Sequence, residues 1–240
     1  MARETSELAA ASDERSGFWT VERRRDGLIV LLTLVTGSLD AIGLLRLGGV
    51  FTSVMTGNMV FLGVSVAERN GALAVHTGVA FLTYIVGSFL GARLAGHADG
   101  EQHPWPRPVV HGLLLEFGVL CVFGVWWEVV GAAPSSVVGY AMLGVNAMAL
   151  GVQSAAVLRF GISGLSTTYL TGTLTQFVAG LTKRGEGFQV RSGLLLLALI
   201  TGAGLGSEVV LHAPRYAPLV PLGALGLVVL GAWGTFHRRA

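Results

Sequence analysis

Long uncharged stretches separated by short polar connectors set the pattern of this chain. The stretches run approximately over 27–45, 50–67, 72–95, 109–131, 136–158, 164–182, 191–212 and 217–236. A helix rises 1.5 Å per residue, so about 20 residues cross the hydrocarbon core of a bilayer. Most of the stretches are ample. The second and sixth, of 18 and 19 residues, are marginal and rich in Thr, Ser and Gly. The pattern predicts an all-α fold, a polytopic transmembrane helix bundle of about eight hydrophobic segments. Ahead of them, residues 1–26 are polar and end in Arg23-Arg24-Arg25-Asp26. The apolar run that follows exceeds a signal-peptide core and lacks a clean cleavage site, so it reads as a retained anchor. Roughly residues 1 to 20 are expected to be a disordered cytoplasmic tail.

The two marginal segments carry related motifs, Thr56-Gly57-Asn58 and Thr171-Gly172-Thr173, at an offset of 115. Leu45-Arg46-Leu47-Gly48 answers Leu158-Arg159-Phe160-Gly161 at 113, and Gly87-Ser88-Phe89-Leu90-Gly91 answers Gly202-Ala203-Gly204-Leu205-Gly206 at 115. Several motifs holding nearly one offset point to duplication, with repeats over 27–131 and 136–236. Internal repeats are frequent in transporters, whose substrate sites lie near mid-membrane where the repeats meet.

Charge then bears on topology, because Lys and Arg near segment ends favour the cytoplasm. Eight spans with the N-terminus inside place 11 basic residues inside and 5 outside. If segments two and six instead dip in and return, the division becomes 13 against 3. Segment 50–67 has no charge to resist crossing, and length is weighed above the difference of two residues. Eight spans are therefore expected, with both termini cytoplasmic under either arrangement. Four spans per repeat would make the halves parallel, and three would make them inverted.

Composition agrees with a membrane protein: 52% of residues are hydrophobic, 12% are charged, and the mean hydropathy is +0.66. A soluble domain carries about twice that charge. The net charge of +2 comes from residues at segment ends and forms no basic stripe, so nucleic acid is not expected as a partner. The partners implied are the lipid bilayer and an unknown small solute or ion, with homo-oligomerisation left open. The single cysteine, Cys121, lies in an apolar segment and reads as a buried packing residue.

Asp40 lies well inside segment one among apolar and small neighbours, where an ionised carboxylate is expensive. It is either an ionisable coupling or gating group or a structural acid bonded to a neighbouring helix. With no basic residue within a helical turn, it is expected to be largely neutral until substrate, ion or water reaches it. At the 113 offset Asp40 aligns with Gln153. Thr56, Gly57, Asn58, Thr171, Gly172 and Thr173 are candidates to line a polar constriction, the alternative being interhelical hydrogen bonding. Thr167, Thr168, Thr175 and Gln176 enrich the second copy. Glu116, within segment four, completes the candidate path. Arg46 and Arg159 end segments one and five and are expected to snorkel or to cap a helix C-terminus. Trp19, Trp126, Trp127 and Trp233 suit interfacial belts. The two Gly-x-x-x-Gly motifs suit close helix packing.

No metalloprotease, P-loop, nucleophile-elbow or dinucleotide-binding motif occurs, so neither an enzyme nor a bound cofactor or metal is expected. His97 and His103, with Asp99 and Glu101, read as a solvated connector. The phrases Gly37-Ser38-Leu39-Asp40-Ala41, Met55-Thr56-Gly57-Asn58, Gly151-Val152-Gln153-Ser154-Ala155-Ala156 and Thr168-Tyr169-Leu170-Thr171-Gly172-Thr173-Leu174, in this order, resemble the YoaK-like family of bacterial inner-membrane proteins. That resemblance covers nearly everything after residue 26. It implies a polytopic bacterial inner-membrane protein of unknown biochemical role and supplies no substrate. The family's usual asparagine after the second-half glutamine is Ser154 here, which puts in doubt any role that needs an amide there. The reading is thus a small-solute or ion transporter or channel with a polar path between repeats. The competing one is a non-transporting scaffold or sensor that oligomerises through glycine-rich faces.

Overall fold

The computed structural model describes residues 2–94, 107–131, 134, 136–159, 167–168, 170–181 and 186–236. Eight α-helices follow one another: α1 (Ala2–Arg46), α2 (Met55–Ala67), α3 (Gly71–Leu94), α4 (Arg107–Val130), α5 (Ser136–Leu158), α6 (Leu170–Leu181), α7 (Glu186–His212) and α8 (Leu219–Phe236). A 3-10 turn, Pro214–Tyr216, joins the last two. The all-α fold read from hydropathy is the one observed. The tail differs: α1 begins at Ala2, so the polar residues ahead of the first apolar run are helical. Their Ala, Glu, Leu and Arg content favours helix, and no proline interrupts it. The connector with His97, Asp99, Glu101 and His103, and the residues Phe160, Gly161 and Tyr169, lie outside the described residues.

Among the described residues, six helices are long and apolar enough to cross a membrane, the first of them being the Arg23–Arg46 part of α1. Helices α2 and α6 are not among them. With 13 and 12 residues they rise about 20 and 18 Å, short of the ~30 Å hydrocarbon core. Segment two loses length because α1 stops at Gly48 and Gly49, whose φ values of 107° and 73° are left-handed. The chain then runs non-helically to Val54. In segment six the helix is α6, Leu170–Leu181, and Thr167 and Thr168 ahead of it are not helical.

Contacts at the helix ends fix the direction of each helix. At one face of the bundle, an Arg46 guanidinium nitrogen donates to the Val210 carbonyl at 3.1 Å, joining the ends of α1 and α7. Trp127 Nε1 donates to the Pro214 carbonyl at 2.9 Å, and Arg215 pairs with Glu128 at 2.7 Å, bringing the end of α4 there too. Gly48 lies against the His76 ring, and that ring packs on Tyr140 at 4.4 Å, adding the starts of α3 and α5. At the opposite face, Asp26 meets Arg191 at 3.6 Å and an Arg159 guanidinium nitrogen reaches the Ala92 carbonyl at 3.4 Å. Hence α1 and α7 run parallel, α3 and α5 run parallel, and the two pairs oppose each other. The chain from Gly48 to Gly71 leaves and regains one face, so α2 is the returning arm of a hairpin.

Helix α1 packs mainly on α7, and α5 mainly on α3. Helices α8 and α4 flank α1 and α5 in turn and touch each other, while α2 lies on α3 and α6 on α7. Consequently α1 and α5 are mostly buried, whereas α3 and α7 are mostly exposed. The outward faces are apolar, with Val86, Phe89, Val125, Ile200 and Leu230 all exposed, as a lipid-facing surface requires. The Gly-x-x-x-Gly motifs make the two main pairings possible. A Cβ at Gly91 would stand 2.8 Å from the Val152 carbonyl oxygen on α5, and one at Gly206 would stand 2.9 Å from Ser38 Cα on α1. Bare glycine backbone lets each pair of helices approach closely.

Two expectations about the periphery change. Trp127 is fully buried beside Phe123 rather than in an interfacial belt, because its N–H finds the Pro214 carbonyl inside the fold. Cys121 is half-buried, in a shallow apolar groove with Val122, Val125 and Trp126. Arg46 and Arg159 do satisfy helix C-terminal carbonyls, those of the neighbouring α7 and α3.

Candidate functional site

The non-helical stretch after Gly49 is held by side chains that the sequence marked as candidates for a path. Asp40 is buried, and its Oδ1 accepts hydrogen bonds from Thr52 N at 2.8 Å, Thr52 Oγ1 at 2.9 Å and Ser53 N at 2.8 Å. Ser53 Oγ contacts its Oδ2 at 2.5 Å. Two backbone amides that no helix satisfies are thus satisfied by one carboxyl group, as buried backbone requires. Asn58 closes the same loop from α2. Its Oδ1 accepts from Phe51 N at 3.1 Å and its Nδ2 donates to the Phe51 carbonyl at 2.7 Å.

The second half carries a comparable knot. Gln153 Nε2 contacts Thr167 Oγ1 at 2.8 Å, Thr36 Oγ1 at 2.9 Å and the Leu32 carbonyl at 3.3 Å. Tyr84 donates its hydroxyl to Ser154 Oγ at 2.7 Å, which lies 2.8 Å from Thr168 Oγ1. In the first half the acid that reaches the hydroxyls before α2 is Asp40. In the second, both Gln153 and Ser154 reach the hydroxyls before α6. Gly37 approaches α7 and Gly151 approaches α3, an offset of 114, and at that offset Asp40 answers Ser154. The packing register therefore differs by one residue from the 113 offset that aligned Asp40 with Gln153.

Between these knots lies a cavity of about 330 Å³. Its polar wall comprises Thr36 of α1, Ser53 and Thr56 around the start of α2, Tyr84 of α3, and Thr168 and Thr171 around the start of α6. Val54, Met55, Leu170, Leu174, Leu196 and Leu199 supply the apolar wall, and among the described residues no charged one lines it. At roughly 30 Å³ per water, it is the size of a small polar molecule with a few waters.

The structure thus places Thr56 and Thr171, together with Thr168 of the enriched second copy, on the cavity wall, and none of Asp40, Gly57, Asn58, Glu116, Gln153, Gly172 and Thr173. Asp40 and Gln153 stand behind the wall, bonded to Ser53 and Thr36, which form it. Gly57, 3.4 Å by its virtual Cβ from Val54, lies in the turn that Asn58 locks. Thr173 is buried and Gly172 half-buried in α6. Glu116 is buried in α4, away from the cavity lining. Sequence reasoning missed Thr36, Ser53 and Tyr84 as wall residues, and Asn146 as a buried polar group. A signal existed for Ser53: Thr52-Ser53 and Thr167-Thr168 keep the offset of 115 that joins the Thr-Gly motifs.

Residues 28–231 match the family model described as protein of unknown function (DUF1275). The chain belongs to this family. A relative from Bacillus subtilis (strain 168), described as UPF0700 transmembrane protein YoaK, is 33% identical over 165 residues, which cover 69% of this chain and 71% of the relative. No solved structure matches. This DUF1275 member is a multi-pass membrane protein, in keeping with its six long apolar helices and the transmembrane description of its relative. The matched span contains both knots and the whole cavity wall.

Proposed function

We propose that this chain is a small-solute transporter or channel of the bacterial inner membrane, acting without enzymatic chemistry. In this reading six helices cross the bilayer, α2 and α6 are re-entrant, and the halves are inverted repeats. The single observation that carries it is the cavity where the two Thr-Gly motifs meet. Non-helical backbone at membrane depth is tolerated where it is buried in protein or lines a cavity. Within residues 50–54, Val50, Thr52 and Ser53 are buried, and Ser53 and Val54 line the cavity. Opposed pairs of parallel helices suit inverted repeats, and a site at their junction suits alternating access. Six spans also give the larger cytoplasmic excess of basic residues, 13 against 3, with both termini cytoplasmic.

The hydroxyl groups of the wall, with no charged residue on it among the described residues, favour a neutral polar solute over a multivalent ion. The two Gly-x-x-x-Gly motifs pack within the chain, Gly91 against α5 and Gly206 against α1, so a scaffold would associate through other faces, such as those of Gly78 and Gly204. The test is reconstitution of the full chain in liposomes, with flux measured for a panel of small neutral polar solutes and monovalent ions. Thr56→Trp and Thr171→Trp fill the cavity and are expected to stop the flux found for the wild type, while thermal stability in detergent holds. Flux that persists in both folded variants refutes this path, and a wild type inert to the whole panel removes the transport reading.

A further inference from the structure

Helices α1, α4, α5 and α8 form a closed ring, each touching the next. Glu116 lies inside it, in the buried stripe Leu113, Glu116, Leu120, Phe123 and Trp127 of α4. Neither of its carboxyl oxygens has a partner. No cation faces it. Helix α8 has no ionisable residue, α5 has only Tyr140, and α1 has none between Asp26 and Asp40. On α4 itself the neighbours are His111 and Cys121, each five residues away. A bare carboxylate in such a place would be an uncompensated charge in the bilayer. A carboxylic acid needs one thing only, an acceptor for its hydrogen.

Among the described residues, the buried side-chain acceptors without a donor are Gln153 Oε1 and Asn146 Oδ1, besides those of Glu116 itself. Helix register separates them. Helix α4 ends and α5 starts at the same face, so they run antiparallel, and a Cβ at Gly112 would touch Ala156 Cβ at 3.2 Å, which sets these two residues level. Glu116 and Gln153 then fall within about one helical turn of each other in height, and Asn146 lies almost two turns farther along. Gln153 has already committed its Nε2 to Thr36 and Thr167, so Oε1 is the end left over.

We propose that Glu116 is a proton-binding site whose acid hydrogen is shared with Gln153 Oε1, linking proton occupancy in the ring to the cavity wall at Thr36. The last clause rests on the cavity being a solute path; the proton site itself does not. The step is simple in atoms: the carboxylate takes one proton from water, one O–H bond forms, and release reverses it. When the proton leaves, Oε1 loses its donor, and the amide can shift against the Thr36 hydroxyl at its other end.

The experiment is infrared difference spectroscopy of the purified full chain in detergent across a pH titration, reading the carbonyl stretch of protonated carboxylic acids. Such a band is expected at neutral pH, lost in Glu116→Gln and retained in Asp40→Asn. It should move to the position of a non-hydrogen-bonded acid in Gln153→Met and move less in Thr36→Val. Should Glu116→Gln fail to fold, carboxyl-labelled glutamate in the wild-type chain makes the same assignment, since it moves glutamate bands and leaves aspartate bands in place. No glutamic-acid band at neutral pH overturns the proton site. A band indifferent to Gln153→Met overturns the shared hydrogen, and one indifferent to Thr36→Val overturns the link to the wall. Inert cavity variants in the flux assay would leave this band in place, so the two readings fail separately.

Discussion

Replacing Asp40 separates its structural duty from any ionisable role. In Asp40→Ala four hydrogen bonds disappear, and the backbone N–H groups of Thr52 and Ser53 lose the acceptor they share. Leaving a buried donor unsatisfied costs about 1–3 kcal/mol. Two amides give about 2–6 kcal/mol, before any contribution from the hydroxyls of Thr52 and Ser53, which also bond Asp40. Asp40→Asn keeps an oxygen where Oδ1 accepts three bonds and puts an NH2 group toward Ser53 Oγ, which can accept from it. The expected loss for Asn is under about 2 kcal/mol, the difference between a charge-assisted and a neutral bond. Denaturant or thermal unfolding in one detergent, with helix content read by circular dichroism, should order the proteins wild type, Asn, Ala. An alanine variant as stable as wild type, or one equal to the asparagine variant, would show that Asp40 does not hold the loop. Retained pH-dependent activity in a stable Asn variant would separately remove Asp40 from any coupling role.

The remaining expectations use the same fold. Gly91→Ala and Gly206→Ala push a Cβ onto backbone at 2.8 and 2.9 Å and should each destabilise by about 1–3 kcal/mol, while Gly78→Ala and Gly204→Ala, with open space around them, should not. Thermal unfolding of the four variants checks this. Asn58→Ala frees the half-buried Phe51 N–H and carbonyl and should cost about 1–3 kcal/mol, read as a lowered midpoint in the same assay. In a Cys121→Ser background, single cysteines at Asn70 and Ala213 should react with an impermeant thiol reagent from the same side of the membrane, because both positions belong to the face where α1 and α7 end. Labelling from opposite sides would restore the eight-span arrangement.

The helical class, the number of helices and the ends of the long ones, apart from the start of α1, were legible because hydrocarbon leaves the backbone one local solution, an internally bonded helix of about 20 apolar residues. The Gly-x-x-x-Gly spacing likewise announced close packing, since small residues on one helix face have a direct steric meaning. What the pattern of residues could not carry was which groups meet. Asp40 reads as an isolated acid in its own segment, yet its partners are Thr52 and Ser53, brought back to it only after Gly48 and Gly49 reverse the chain. Glu116 and Gln153 look unrelated until the crossing of α4 and α5 sets their heights. Length alone also overstated the helix in segment two, because tertiary hydrogen bonds from Asp40 and Asn58 stabilise a non-helical stretch that hydropathy counts with it. Local hydropathy determines what enters the membrane. The pairing of polar groups inside it depends on contacts between distant parts of the chain, and these exist only once the bundle has closed.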